Sequence, residues 1–265
     1  MKKIVMFGIC GRVGTTITKE LLKADGIEIT GGFDKCKVGE DIGEMLGLSP
    51  TGSKIYGKYE DIKRLNPDLI VDFTSADIAY KTINWALDNK IDIIVGTTGL
   101  KKDLITGIEE KARKGKSKIF IVPNFSIGAV VMIKISSMVS KYFDNCEIIE
   151  LHHDKKKDAP SGTSILTSEK IAETRNFNYS RMQDGEEETI DGSRGAFNGG
   201  IHIHSIRLPG LLAHQEVIFG TTGQTLSLRH DSIDRLSFYP GVKLAIDKID
   251  QLSNFTYGLD KIIEL

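Results

Sequence analysis

The chain has 265 residues, enough for one or two domains, and 40% of them are hydrophobic, enough to fill a substantial core. Charged residues make up 27% of the chain but the net charge is −1, which excludes the basic excess of a general nucleic-acid or membrane-surface binder. No run approaches the roughly 20 apolar residues of a membrane span, so neither nucleic acid nor membrane is expected as a partner.

The chain opens on a β-prone apolar run, Lys3 to Phe7, too short for a secretory signal. Gly8-Ile9-Cys10-Gly11-Arg12-Val13-Gly14 follows, then helical periodicity from Thr15 to about Ala24, then a strand from Ile27 to Phe33 that ends on Asp34. Glycines let a backbone turn tightly against a pyrophosphate, and a helix N-terminus faces its charge. An acid 20 residues after Gly14 stands where a dinucleotide fold binds ribose hydroxyls. Cys10 holds the second glycine position of the usual pattern. Asp34 repels a 2′-phosphate and Lys35 partly offsets that, so NADH is the expected cofactor, with some NADPH use.

Residues 37–58 are glycine-rich and read as an irregular excursion with one short helix, Ile42 to Leu46. The α/β rhythm then resumes, with helices at Tyr59 to Leu65, Ala79 to Asn89 and Lys102 to Lys114 and strands at Leu69 to Phe73, Asp92 to Val95 and Lys118 to Val122. Continuous apolar strands alternating with helices predict a doubly wound parallel sheet, whose ligands sit beyond the carboxyl ends of the strands. Phe73, Gly96-Thr97-Thr98 and Pro123-Asn124-Phe125 occupy three such ends, and with Gly8 to Val13, Asp34 and Lys35 they are the candidate cofactor-binding residues.

A long apolar helix, Ile127 to Phe143, leads out of this pattern, and a strand, Cys146 to Leu151, follows it. His152-His153-Asp154-Lys155-Lys156-Lys157-Asp158-Ala159-Pro160-Ser161-Gly162-Thr163 comes next, ahead of a helix from Ser164 to Glu173. Two imidazoles and three ammonium groups sit here beside a small-residue turn in which Ser161 is a good N-cap. Backbone N–H groups at Gly162 and Thr163 suit an anion. A proton donor, cations and an anion cradle predict a small acidic substrate that is protonated as it reacts. Residues 176–198 read as an exposed loop. Three β-like runs follow, Gly200 to Arg207, Ala213 to Gly220 and Gln224 to His230, with His202 and His204 on one face. No carboxylate or cysteine stands at ligand spacing from them, so no metal site is expected. Cys10, Cys36 and Cys146 are widely spaced and read as reduced thiols of a cytoplasmic protein.

Helical periodicity returns from Ile233 to Ile249, with either a kink or a true start near Pro240, and Tyr257 to Leu265 reads as a short amphipathic helix. The expected fold is α/β: a Rossmann-like doubly wound parallel sheet, residues 1–123 and 233–265, with an inserted α+β domain containing a mainly antiparallel sheet, residues 124–232.

Glu150-Leu151-His152-His153, Lys156 and Asp158-Ala159-Pro160-Ser161-Gly162-Thr163 resemble the signature of the 4-hydroxy-tetrahydrodipicolinate (dihydrodipicolinate) reductase family. So do Asp72-Phe73-Thr74, Gly96-Thr97-Thr98-Gly99, Asn124-Phe125-Ser126-Ile127-Gly128 and His204-Ser205-Ile206-Arg207. The resemblance implies a lysine-biosynthesis (diaminopimelate) enzyme that uses NAD(P)H to reduce a cyclic dicarboxylate imine to tetrahydrodipicolinate. It makes His152 the general acid and Lys156 its assistant, and places His153, Ser161, Gly162, Thr163 and Arg235 at the substrate. It also implies a homotetramer built through the sheet of the second domain. Val13 replaces a usual methionine, Lys157 a neutral residue, and Leu208 to His214 is more apolar than the family's turn. Two rivals share the cofactor half: a dehydrogenase acting on an amino-acid or sugar-acid substrate, and a redox-sensing regulator. Near-zero net charge and the lack of a helix-turn-helix segment in this chain argue against the second.

Overall fold

Apolar runs too short to fold alone become a sheet only by pairing across the chain. A computed structural model describes residues 1–175, 177 and 180–265. They divide into two units, one of Met1–Phe125 with Arg235–Leu265, the other of Ser126–Asp234.

The first unit is built on β1 (Lys2–Phe7), β2 (Ile27–Phe33), β3 (Ile55–Tyr56), β4 (Leu69–Asp72), β5 (Asp92–Val95), β6 (Ile119–Ile121) and β12 (Phe255–Tyr257). They form one seven-stranded sheet in the order β12-β6-β5-β4-β1-β2-β3, with every pair parallel. Helices α1 (Arg12–Leu21), α2 (Ile42–Met45), α3 (Tyr59–Arg64), α4 (Ala76–Asn89), α5 (Lys102–Lys114) and α8 (Tyr239–Lys248) accompany it. All four residues of β4 are buried, as a strand covered on both faces requires. Val5, Phe7, Ile70, Ile83, Val95, Ile108 and Ile121 belong to one core cluster. The strand order reverses between β1 and β4, which is where a doubly wound sheet opens a crevice for a ligand.

The second unit contains α6 (Ile127–Val139), β7 (Asn145–His152), α7 (Gly162–Thr174), β8 (Ala196–Asn198), β9 (Ile201–Arg207), β10 (Ala213–Thr221) and β11 (Gln224–Ser232). Its five strands run in the order β11-β10-β7-β9-β8; β7 and β9 are parallel and the other pairs antiparallel. Register decides what lies inside. Val217, Ile148 and Ile203 face one another across β10, β7 and β9, as do Gln215, Glu150 and Ser205, and then Ala213, His152 and Arg207. The same inner face is therefore apolar at one end and polar at the other.

Several boundaries differ from the sequence reading. Helix α1 starts at Arg12 rather than Thr15, because Gly11 is already its extended N-cap. Helix α6 stops at Val139, short of Phe143, where a 3-10 turn follows. The excursion contains β3, a two-residue strand held by Gly32 and Phe33. The loop reading contains β8, and three of its residues, Asn176, Asn178 and Tyr179, lie outside the described residues. Near Pro240 the chain makes a 3-10 turn, Arg235–Phe238, and then starts α8, with proline in its first turn. The tail is not a helix. Phe255–Tyr257 pairs with Ile119–Ile121, Gly258 takes φ 92°, and a single 3-10 turn follows.

Candidate functional site

The glycine turn is built by contacts that leave no room for side chains. Gly8 takes φ 73°, and a Cβ there would stand 2.6 Å from the Phe73 carbonyl oxygen. A Cβ on Gly14 would stand 2.2 Å from the Gly8 carbonyl oxygen, so the first turn of α1 lies directly against the end of β1. The Gly11 N–H donates to the Gly8 carbonyl at 3.0 Å, which closes the turn. Arg12 and Val13 then fall in the first turn of α1, where backbone N–H groups have no partner within the helix. Ile9 is buried, and Cys10, at the second glycine position, is half-buried. Burial and the neighbouring Asp34 carboxylate push the Cys10 thiol up to about 11. Asp34 accepts the Cys10 N–H at 3.0 Å on Oδ2 and the Cys36 N–H at 3.2 Å on Oδ1. Lys35 is exposed beside it. A glycine cradle, a helix N-terminus of full length and an acid tied to the turn fit a dinucleotide.

The other strand-end candidates meet at the ends of β4, β5 and β6. Phe73 and Phe125 pack edge to face with ring centroids 5.7 Å apart. A Cβ on Gly96 would come within 2.3 Å of the Phe73 ring and 2.6 Å of the Phe125 ring. Thr97 is buried and donates to Asp72 Oδ1 at 2.8 Å, while Thr98 is exposed. Pro123 and Asn124 lead from β6 to Phe125. Asp72 also accepts the N–H of Thr74 at 2.9 Å and its hydroxyl at 2.8 Å. Burial pushes the Asp72 carboxyl up, against these hydrogen bonds.

The second candidate cluster lies wholly within the second unit, between β7 and α7. His152 ends β7, and its Nδ1 lies 2.5 Å from Glu150 Oε2. Glu150 is 0% exposed. It also takes both arms of the Arg207 guanidinium, Nη1 to Oε2 at 2.9 Å and Nη2 to Oε1 at 2.7 Å, and the Ser161 N–H at 3.2 Å. Burial alone would push this carboxyl up, but the hydrogen bonds from His152, Arg207 and Ser205 hold it at about 2. An ionised Glu150 only accepts, so Nδ1 of His152 carries a hydrogen and Nε2 is the free nitrogen.

The three lysines are not equivalent. Lys155 and Lys157 are exposed. Lys156 is 20% exposed, and its Nζ lies 2.8 Å from both oxygens of Asp158. Its N–H donates to the His153 carbonyl, which folds the lysine back over the end of β7. A cis Ala159–Pro160 bond leads into Ser161. As expected, Ser161 caps α7, its hydroxyl accepting the Ser164 N–H at 3.2 Å. Gly162 and Thr163 open the helix, and a Cβ on Gly162 would meet nothing within 4 Å. The loop thus gathers His152, His153, Lys156, Ser161, Gly162 and Thr163, while Arg235 lies in the first unit, at the start of a 3-10 turn.

Residues 2–125 match the family described as dihydrodipicolinate reductase, N-terminus, and residues 128–263 match dihydrodipicolinate reductase, C-terminus. The chain belongs to the dihydrodipicolinate reductase family. The 4-hydroxy-tetrahydrodipicolinate reductase of Carboxydothermus hydrogenoformans is 45% identical over 99% of this chain and 100% of its own. That of Dictyoglomus turgidum is 42% identical over 99% of this chain and 98% of its own. Among solved structures, a dipicolinate-bound dihydrodipicolinate reductase from Paenisporosarcina sp. TG-14 superposes with a TM-score of 0.87 at 36% identity, covering 99% of this chain and 100% of that one.

The sequence reading quoted Glu150 and Arg207 in the family's motifs but gave neither a role. Their spacing of 57 residues hides the pair. The only local sign was a glutamate two positions before His152, on the same face of the strand as the apolar Ile148. Among the described residues no group of three or more metal-ligating side chains comes together, and no helix is long and apolar enough to cross a membrane.

Proposed function

We propose that this protein reduces the cyclic dicarboxylate imine formed from 4-hydroxy-tetrahydrodipicolinate to tetrahydrodipicolinate in lysine (diaminopimelate) biosynthesis, using NADH by preference and NADPH as well. One observation carries this reading: a histidine with a free Nε2, a half-buried lysine and a capped helix N-terminus converge on one loop of a chain in this reductase family. The nicotinamide supplies hydride to the ring. His152 holds the proton at Nε2 and delivers it to the substrate to complete the reduction. A histidine can hold and release such a proton near neutral pH. Lys156 faces the substrate's negative charge and assists the acid. Its contact with Asp158 is an ion pair that a substrate carboxylate can replace. His153, the Ser161 hydroxyl, and Gly162 and Thr163 at the start of α7 hold one carboxylate. Arg235 serves the same substrate.

In this reading the first unit binds dinucleotide through residues 8–13, Asp34, Lys35, Phe73, residues 96–98 and residues 123–125. Asp34 accepts ribose hydroxyls and disfavours a 2′-phosphate. The second unit binds substrate and builds a homotetramer, in which self-association covers the open edges β11 and β8 of its sheet. The protein works in the cytoplasm.

A coupled assay tests the reaction. Dihydrodipicolinate synthase generates the substrate from pyruvate and aspartate semialdehyde, and NADH absorbance is followed. Rapid oxidation that requires the synthase is expected. A folded, dinucleotide-binding protein that oxidises neither NADH nor NADPH under these conditions would overturn the reading.

A further inference from the structure

Besides the Ser205 hydroxyl, four hydrogen-bond donors converge on the Glu150 carboxylate. Two come from Arg207 on β9, one from the Ser161 backbone at the N-cap of α7, and one from His152 at the end of β7. The carboxylate sits on the inner face of the sheet, one layer from Ile148, Val217 and Ile203. A charge buried there is a poor source of stability, because desolvating the two ions offsets most of their attraction. What it does supply is direction. Oε2 fixes Nδ1 of His152, while Oε1 fixes the N–H of Ser161. The imidazole and the helix start are thereby held by the two oxygens of one rigid group.

We infer that Glu150, clamped by Arg207, is a positioning residue. It keeps His152 in the tautomer that presents Nε2 to the substrate, and it ties that imidazole to the anion-binding start of α7. This inference rests on the reaction proposed above, in which His152 is the acid. With a hydrogen held on Nδ1, the ring gives up a proton from Nε2 only as the imidazolium. Glu150 also sets the distance between the proton and the substrate carboxylate. Neither Arg207 nor the Ser161 N–H can turn into an acceptor. Besides the Ser205 hydroxyl, only His152 can, by moving its hydrogen from Nδ1 to Nε2.

Glu150→Gln exploits that asymmetry. The amide keeps the shape and one acceptor but offers an NH2 in place of the other oxygen. Facing His152, that NH2 makes Nδ1 an acceptor and leaves the neutral ring with its hydrogen on Nε2, where it is a much weaker acid than imidazolium. The other charged or titratable groups flanking His152 keep their identities, but Arg207 loses one of its two carboxylate acceptors. These groups are Arg207 on β9, His214 with Asp231 across β10 and β11, and His153, Asp154, Lys155, Lys156, Lys157 and Asp158 in the loop.

The experiment compares wild type and Glu150→Gln in the coupled assay. NADH binding is measured alongside, and long-range 1H–15N spectra of the histidine-labelled proteins read the tautomers. Two results are expected. Turnover falls roughly 10- to 1,000-fold, as when the carboxylate behind a working imidazole is lost, while the dissociation constant for NADH stays within about twofold. Neutral His152 changes from the Nδ1–H to the Nε2–H tautomer. Unchanged turnover in an active background overturns the inference, and so does a loss of turnover with the tautomer unmoved, which is what a merely structural role would give. The wild-type spectrum alone also decides. An Nε2–H tautomer there refutes the inference even if the variant fails to fold. An inactive wild type with the expected tautomer would instead sink the reaction and leave the geometry standing.

Discussion

Two glycine-to-alanine substitutions on helices of the first unit should act in opposite directions. At Gly14 the new methyl would stand 2.2 Å from the Gly8 carbonyl oxygen, 2.9 Å from its carbon and 3.0 Å from the Ile9 Cα, all backbone atoms. Ordinary contact begins near 3.4 Å, so helix and turn must separate by more than an ångström. The turn has little freedom to yield, because the Gly8 N–H is bound to the Phe33 carbonyl at 2.9 Å. Overpacking of this kind costs about 1–3 kcal/mol. The same displacement carries the N–H groups of Arg12 and Val13 out of register with a pyrophosphate. Gly14→Ala should therefore lower the melting temperature and weaken NADH binding by roughly tenfold or more, the weight of one misplaced anion contact at about 1.4 kcal/mol per decade. At Gly107, inside α5, an added Cβ meets nothing within 4 Å. Gly107→Ala should stabilise by about 0.5–1 kcal/mol through helix propensity alone and leave NADH binding untouched. Thermal unfolding and fluorescence titration with NADH read both quantities. A Gly14→Ala protein that binds NADH like wild type would refute the cradle.

His152→Ala should cut turnover by roughly two to four decades with NADH affinity preserved. Lys156→Ala should behave similarly and Lys155→Ala should be near neutral, and equal damage from the two lysines would reject the assignment of Lys156. Asp34→Asn should raise the ratio of kcat/KM for NADPH over NADH about tenfold, because one like-charge pair roughly 6 Å apart in a half-screened setting costs ~1.4 kcal/mol; an unmoved ratio would free Asp34 of that role. The Glu147 carboxyl is held at about 2, chiefly by the His204 hydrogen bond and then by Arg194 against its burial, and that of Glu150 is also at about 2, against an ordinary 4.5. Both values are depressed, so their stabilisation is present above about pH 4.5 and is lost as pH falls toward 2. Urea unfolding should weaken over that window and do so less steeply in Glu147→Gln, and a pH-independent midpoint would contradict it. Asp72→Asn should be tolerated, because the amide oxygen can still accept from Thr74 and Thr97, whereas Asp72→Leu strands three donors and should cost roughly 2–5 kcal/mol in denaturant unfolding.

What the sequence disclosed follows from how local each signal is. Buried parallel strands carry their whole pattern in four or five apolar residues, so β1, β4, β5 and β6 could be read directly. The cap at Ser161 is local chemistry and was legible for the same reason. β3 and β12 are two and three residues long and exist only because Gly32–Phe33 and Ile119–Ile121 offer them ladders. In the tail, Leu259, Ile262 and Ile263 mimic helical spacing, but Gly258 at φ 92° breaks the chain before a helix can start. At the candidate site the proposed acid, lysine and cradle are contiguous in sequence and could be named. Their support on Arg207 depends on strand register between β7 and β9, which no periodicity encodes.

The first unit is interrupted, and the interruption sets an order of assembly during synthesis. Residues Ser126–Asp234 emerge as one uninterrupted stretch and can complete their own core while the ribosome is still translating the rest. The parallel sheet cannot close by then, because α8 and the β12 partner of β6 belong to the segment after Arg235. A nascent chain stalled before Phe255 would carry a finished insert beside an open strand, with the backbone of Ile119–Ile121 bare on one side. Bare strand edges recruit other chains. A chaperone acting on this protein would therefore find its work in the half of the molecule that was started first and finished last.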